Sequence, residues 1–217
     1  MKSYNIWQVL TFLTLCLLTL VTTSCRTSRH ANRPPFILVI DAGHGGRDLG
    51  ASGRKSHEKD LTIQTARRFS KLIRKNCKNV EVIMTRTDDE YVSLDDRAGM
   101  ANFFNADLFM SIHANSARGW AEGTETFIHP SARGSRSERL ARLIQIQYTY
   151  EAGRKNRGVK TANFAVLRKT RMPSILTEIG FISNKEEENY LKSKKGQKEL
   201  ARCLYNAFQQ YYTEISH

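Results

Sequence analysis

The sequence predicts an α/β domain: a mainly parallel, mixed, twisted sheet flanked by helices. Three observations carry that expectation. Short apolar runs alternate with amphipathic stretches of 10 to 18 residues. The first run, Phe36 to Asp41 (FILVID), is apolar up to its last residue, as a strand buried on both faces would be. Three of the runs are followed by chemically capable side chains, the arrangement expected where parallel strands open onto a crevice. The 217 residues suit one domain, assigned here to 36–215, with a short appendage.

In chain order, Arg33-Pro34-Pro35 reads as an extended linker. After FILVID, residues Glu58 to Lys75 form a helix with Leu61, Thr65, Phe69 and Leu72 or Ile73 at helical spacing. Val80 to Thr85 is a second strand and Leu94 to Phe104 a second amphipathic helix. Asp107 to Ile112 (DLFMSI) is a third strand, and Glu125 to Ile128 another. Ser137 to Tyr148 is helical, with Leu140, Leu143 and Ile144 on one stripe. Ser174 to Thr177 (SILT) begins a late strand. Ser183 or Asn184 caps a short acidic helix, and Gln197 to Tyr212 forms the last one.

The appendage has its own signature. Lys2 precedes an apolar stretch from Val9 to Val21, too short to span a bilayer but suited to an export signal. Thr22, Thr23, Ser24 and Cys25 follow, and the whole resembles a bacterial lipoprotein signal, with Thr22 where leucine is usual. The expectation is a signal peptide over 1–24 and a lipidated neck over 25–35, with Cys25 as the lipidated residue. A soluble exported protein and an uncleaved anchor are the alternatives. Export to the periplasm or cell envelope makes chromosomal DNA a poor partner. Whether Cys77 and Cys203 pair stays open.

Lys and Arg number 34 against 21 Asp and Glu, a formal charge of +13. Residues 34–129 carry thirteen of each sign and residues 172–217 six of each. Residues 130–171 carry eleven cations against Glu138 and Glu151, a net +9. That excess points to an anionic partner.

The chemistry concentrates after three strands. FILVID leads into Ala42-Gly43-His44-Gly45-Gly46, DLFMSI into His113-Ala114-Asn115, and SILT into Glu178-Ile179-Gly180. If the strands are neighbours, two imidazoles and a carboxylate meet. Glu58, opening the first helix, can reach the same edge. His44, Glu58 and His113 would then supply two nitrogens and one oxygen, a sound set for one catalytic Zn²⁺ with an open fourth position. Glu178 is left as general base. Asp41 is expected to accept hydrogen bonds from the GHGG turn or to orient His44 through its ring N–H. His57 reads as a surface residue. Nucleotide binding fails in detail, because a GxGxxG pattern from Gly43 needs glycine at Asp48 and no Gly-Lys-Ser/Thr follows.

Together, DAGHGG at 41–46, HEKDLT at 57–62, TRTDD at 85–89, ADLFMSIHAN at 106–115, GTETF at 123–127 and TEIGFISN at 177–184 resemble the zinc-dependent N-acetylmuramoyl-L-alanine amidases of the amidase-3 type. The resemblance covers essentially all of 36–212. It implies zinc on His44, Glu58 and His113, a catalytic Glu178, and peptidoglycan cut between the lactyl group of N-acetylmuramic acid and L-alanine. Asn115 is a candidate for holding ligand geometry or contacting substrate, and Arg86 and Arg97 for structural ion pairs. Some division-associated members carry a long helical plug before the catalytic glutamate. Here only about 25 residues separate Tyr148 from Ser174, so no obligatory activator is expected. Another zinc cell-wall hydrolase, a peptidase or deacetylase, and a non-catalytic wall-binding lipoprotein are the competing readings.

Overall fold

The computed structural model describes residues 34–118 and 120–216. The signal segment 1–24, Cys25 and the neck up to residue 33 lie outside the described residues. Six strands form one sheet: β1 (Phe36–Ala42), β2 (Val80–Met84), β3 (Leu108–Asn115), β4 (Thr124–Ile128), β5 (Asn156–Thr161) and β6 (Ser174–Phe181), in the order β2-β1-β3-β6-β4-β5. All neighbours run parallel except β4 and β6, so the sheet is mixed and mainly parallel.

The helices are α1 (Glu58–Asn76), α2 (Leu94–Phe103), α3 (Arg136–Ala152), α4 (Ala165–Lys169), α5 (Lys185–Lys192) and α6 (Lys194–Ser216). Alternation along the strands divides them between two faces. Leu38, Ile40, Met110, Ile112 and Ile175 pack against Phe69 and Ile73 of α1, Leu140 and Ile144 of α3, and Leu204 and Phe208 of α6. On the opposite face Val39, Phe109 and Leu176 meet Ala101 of α2 and Val166 and Leu167 of α4. Burying a Leu- or Phe-sized side chain in these layers stabilises by roughly 1.5–3 kcal/mol each.

Caps explain several boundaries. Ser93 Oγ accepts from the Asp96 N–H at the start of α2, and Asn184 Oδ1 accepts from Glu186 N–H at the start of α5. Gly153 ends α3 in the left-handed region at φ 60°, five residues beyond Tyr148, where the periodicity ends the helix.

Three features differ from the sequence reading. Strand β5 (NRGVKT) has no apolar run; it is an edge strand with exposed or half-buried residues, so pairing with β4 rather than hydrophobicity defines it. The short helix α4 gives too little sequence for a periodic signal. Finally, β3 and β6 extend to Asn115 and Phe181, which puts His113, Asn115 and Glu178 inside strands rather than after them. Cys77 and Cys203 are both buried free thiols, and burial pushes the Cys203 thiol up to about 12.

Candidate active site

Strands β1, β3 and β6 are adjacent, so their carboxyl ends share one edge. His44 follows β1 with φ 61°, a left-handed conformation fixed by the reciprocal Gly45–Asp48 backbone bonds of 2.9 and 3.1 Å. His113 lies near the end of β3, pairing in register with Glu178 of β6. Glu58 is the first residue of α1, where the helix N-terminus favours a carboxylate.

The Glu58 carboxylate bridges the two imidazoles. Its Oε2 lies 3.1 Å from His44 Nε2 and its Oε1 2.8 Å from His113 Nδ1. Backbone N–H groups of Ala51 and Ala114 donate to it at 2.9 and 3.0 Å. One potential donor atom from each of His44, Glu58 and His113 falls in a group within 4.8 Å. His44 Nδ1 is 2.9 Å from Asp48 Oδ2, and a proton on Nδ1 leaves Nε2 with its lone pair. Packing holds the group tightly: a Cβ on Gly43 would lie 2.4 Å from His113 Cε1, and one on Gly50, at φ +65°, would lie 2.6 Å from His44 Cδ2. Two nitrogens and a carboxylate oxygen that converge, with one tautomer fixed, fit a divalent metal.

Electrostatics separates the two glutamates. Burial raises the Glu58 pKa, but hydrogen bonds and charge from His113 and His44 outweigh it and hold the carboxyl far below its ordinary range. His44 moves up, because Glu58 and Asp48 outweigh the lowering effect of burial. Glu178 moves the other way. Burial first, then the charges of Glu58 and Glu125, raise it well above an ordinary carboxyl. Its Oε2 is buried and finds no hydrogen-bond partner among the described residues. Glu178, His44 and His113 line a cleft of about 200 Å³ whose other walls include Tyr91, Leu94, Phe164 and Val166.

Asp41 does neither thing expected of it. It is fully buried and accepts from Thr85 Oγ1 (2.7 Å), Ser111 Oγ (2.6 Å) and Arg97 Nη1 (2.7 Å). The reason is strand parity: Asp41 shares a face with Val39, towards α2, whereas Asp48, four residues beyond His44, takes the ring nitrogen. Asp41 acts on His44 indirectly, through Arg97, which donates to the His44 and Ala42 carbonyls at 2.7 Å. Arg97 is thus an ion-pair residue; Arg86 instead donates to the Ala42 and Gly43 carbonyls, both at 2.9 Å.

Asn115, two residues beyond His113 on β3, donates from Nδ2 to Glu125 Oε1 of β4 at 2.7 Å. Glu125 stands opposite Glu178 on β4 and pairs with Arg157 (2.8 Å) and Lys160 of β5. Asp48, Glu125, Tyr91 and Phe164 escaped the sequence reading. Glu125 had a usable signal, a lone carboxylate inside the GTETF strand; Tyr91 and Phe164 lie in loops and had none. His57 caps α1, with Nδ1 3.1 Å from Ser52 Oγ, and is outside the group.

Residues 38–210 match the Amidase_3 family model, described as N-acetylmuramoyl-L-alanine amidase. The sporulation-specific N-acetylmuramoyl-L-alanine amidase of Bacillus subtilis is 39% identical over 175 residues, covering 81% of this chain and 68% of that protein. The crystal structure of an N-acetylmuramoyl-L-alanine amidase from Clostridium difficile superposes with a TM-score of 0.79 at 36% identity, covering 83% of this chain and 98% of that one. The CwlD amidase from Clostridioides difficile, solved in complex with the GerS lipoprotein, gives a TM-score of 0.76 at 28% identity, with 82% and 98% covered. A family match across this length, on a sheet that brings the two histidines and two glutamates to one edge, has one meaning: the chain belongs to the Amidase_3 family of N-acetylmuramoyl-L-alanine amidases.

Proposed function

We propose that this chain is a zinc-dependent N-acetylmuramoyl-L-alanine amidase that hydrolyses the amide between the lactyl group of N-acetylmuramic acid and L-alanine in peptidoglycan. The observation that carries the reading is the unpartnered, buried Glu178 Oε2 beside the His44–Glu58–His113 group. Zinc held by His44, Glu58 and His113 would supply Lewis acidity towards the scissile carbonyl and the attacking water.

The chain's own residues do the rest. Glu178 takes a proton from the attacking water at its unpartnered Oε2 and returns it to the departing L-alanine nitrogen. Burial first, then the charges of Glu58 and Glu125, raise its pKa above that of an ordinary carboxyl, the direction that strengthens it as a base. Asp48 fixes the His44 tautomer, and Arg97 fixes the His44 backbone. Tyr91, Phe164 and Val166 wall the cleft and limit its water.

The same reading takes the protein to be exported and lipid-anchored at Cys25 in the cell envelope, acting without an obligatory activator. No helix among the described residues is long and apolar enough to cross a membrane. The stretch between α3 and β6, where a plug would sit, is used for β5 and α4. The test is metal analysis of the purified protein combined with product masses from a murein digest made with no partner added. Free stem peptides beginning with L-alanine are expected; cleavage within the stem or loss of acetyl groups would replace this reading with another hydrolase.

A further inference from the structure

The sequence places the positive excess in residues 130–171, but folding neutralises most of it. Arg139 pairs with Glu214, Arg142 with Glu138, Arg154 with Glu187, Lys155 with Glu122, Arg157 and Lys160 with Glu125, and Lys169 with Asp95. Arg154 is more than a surface charge: it also stacks over Tyr190 at 4.4 Å. Arg133, Arg136, Arg168 and Arg171 meet no carboxylate among the described residues, but a denser group of unpaired cations lies on two segments inside stretches whose totals balance. Residues 67–78 contain six cations and no acid, and residues 194–202 contain four cations and only Glu199.

Helices α1 and α6 pack side by side and bring those two segments onto one outer face. Arg68, Lys71 and Lys75 from α1 line a shared groove with Lys195, Lys198 and Arg202 from α6. Lys71, Lys75, Lys78, Lys195, Lys198 and Arg202 are exposed. Among the described residues only Lys195 of these six meets a carboxylate, Glu199 at 3.9 Å. So many unscreened like charges in one patch raise the local potential and favour a polyanionic surface.

Two further facts select the surface. The chain enters the domain beside this face: the Phe36 N–H donates to Asn79 O, next to Lys78, and the Phe36 ring lies 5.2 Å from Tyr212 of α6. The catalytic cleft lies on the other side. Its walls come from Leu94 of α2 and Ala165 and Val166 of α4, on the opposite sheet face, and Glu58 precedes Lys71 and Lys75 by roughly 20–25 Å along α1. A flat anion docked on α1 and α6 therefore leaves the cleft open.

We infer that the α1–α6 face is a docking surface for an anionic phospholipid bilayer, seating the domain on the membrane with its cleft turned away. The inference needs neither the amidase reading nor lipidation of Cys25, only an N-terminal segment held at the same membrane. The experiment is sedimentation of the full chain with phosphatidylcholine vesicles, with or without phosphatidylglycerol, at low and high salt. The quadruple variant K71Q/K75Q/K198Q/R202Q is compared with wild type and with R54Q/R118Q/R168Q/K185Q, which removes equal charge from exposed sites elsewhere.

The expected result is phosphatidylglycerol-dependent binding, lost at high salt and weakened roughly ten-fold or more by the first variant but not the second. Binding to pure phosphatidylcholine, where the N-terminal apolar segment acts alone, is expected to be the same for all three. Equal binding of wild type to both vesicle types, or equal loss in both variants, overturns the inference. So does tighter binding of the same face to teichoic acid or double-stranded DNA than to the vesicles. Thermal midpoints within a few degrees of wild type exclude misfolding as the cause.

Discussion

His113 and Glu178 stand side by side in register on the adjacent strands β3 and β6, and the two side chains face opposite electrostatic demands. His113 is drawn to the ionised Glu58 at 2.8 Å, while burial and neighbouring acids keep a proton on Glu178 more readily than on an ordinary carboxyl. The sheet thereby sets a metal-ligand candidate next to a candidate proton carrier without a loop between them. That adjacency makes the two roles separable by mutation.

Glu178→Gln is expected to lower murein hydrolysis by ~10²–10⁴-fold while the protein keeps its bound metal, because Glu178 is outside the donor group. His113→Ala and Glu58→Ala are expected to lose both. Metal content by elemental analysis, measured beside product release, distinguishes the two classes. A Glu178→Gln protein that loses its metal would move Glu178 into the ligand set.

Gly43→Ala tests the packing behind the site. The new Cβ would sit 2.4 Å from His113 Cε1 and 2.5 Å from Nε2, so the imidazole must move. Metal affinity is expected to fall ~10–100-fold, the range seen when ligand orientation is disturbed. Isothermal titration of metal into the stripped protein measures it. Wild-type affinity in the variant would mean the ring tolerates displacement.

Asp41 sets a pH dependence of stability. Burial would raise its pKa, but the Arg97 charge and the Ser111 and Thr85 hydroxyls outweigh that, and the folded-state value is lowered. The folded state therefore binds this proton less readily than the unfolded chain, whose Asp titrates near ~3.9. The stabilisation is complete above that pH and is lost as pH falls towards the folded value. Asp41→Asn leaves Arg97 without its buried partner, and a cost of ~3–5 kcal/mol is expected at neutral pH. Urea melts from pH 7 down to pH 3 are expected to show the two proteins converging below about pH 4. A gap that stays constant to pH 3 would exclude ionised Asp41 as its source.

Phe164→Ala probes the wall of the cleft. The ring is 38% exposed and packs edge-on against Phe127 at 5.2 Å, a position suited to substrate contact. The expected change is a rise in KM of several fold with kcat nearly unchanged, the sign of lost uniform binding. Steady-state kinetics on defined muropeptides reads the split; a fall in kcat alone would assign Phe164 to the chemistry.

Much of this protein was legible before folding. FILVID, DLFMSI and SILT are unmistakable as buried strands, and the residue types after them are those a metal and a proton carrier need. His44, Glu58, His113 and Glu178 could be named because each lies at the end of a strong local pattern. Glu125's partners Asn115 and Arg157 lie on other strands, and Asp48 reaches His44 only through the fold of the turn between them.

The sequence by itself determined the fold class and the order of all the strands and helices but β5 and α4, and it named the residues that meet in the candidate site. Tertiary structure alone decided which strands are neighbours, that Asp48 rather than Asp41 holds the His44 ring, and where the charge ends up. The physical reason is that hydrophobic periodicity is written within ten or twenty residues. Ion pairs such as Arg139–Glu214 or Lys169–Asp95 instead join positions more than seventy apart. A segmental charge count assigns the excess to 130–171; through-space pairing reduces it there, while α1 and α6 bring together cations from two stretches whose totals balance.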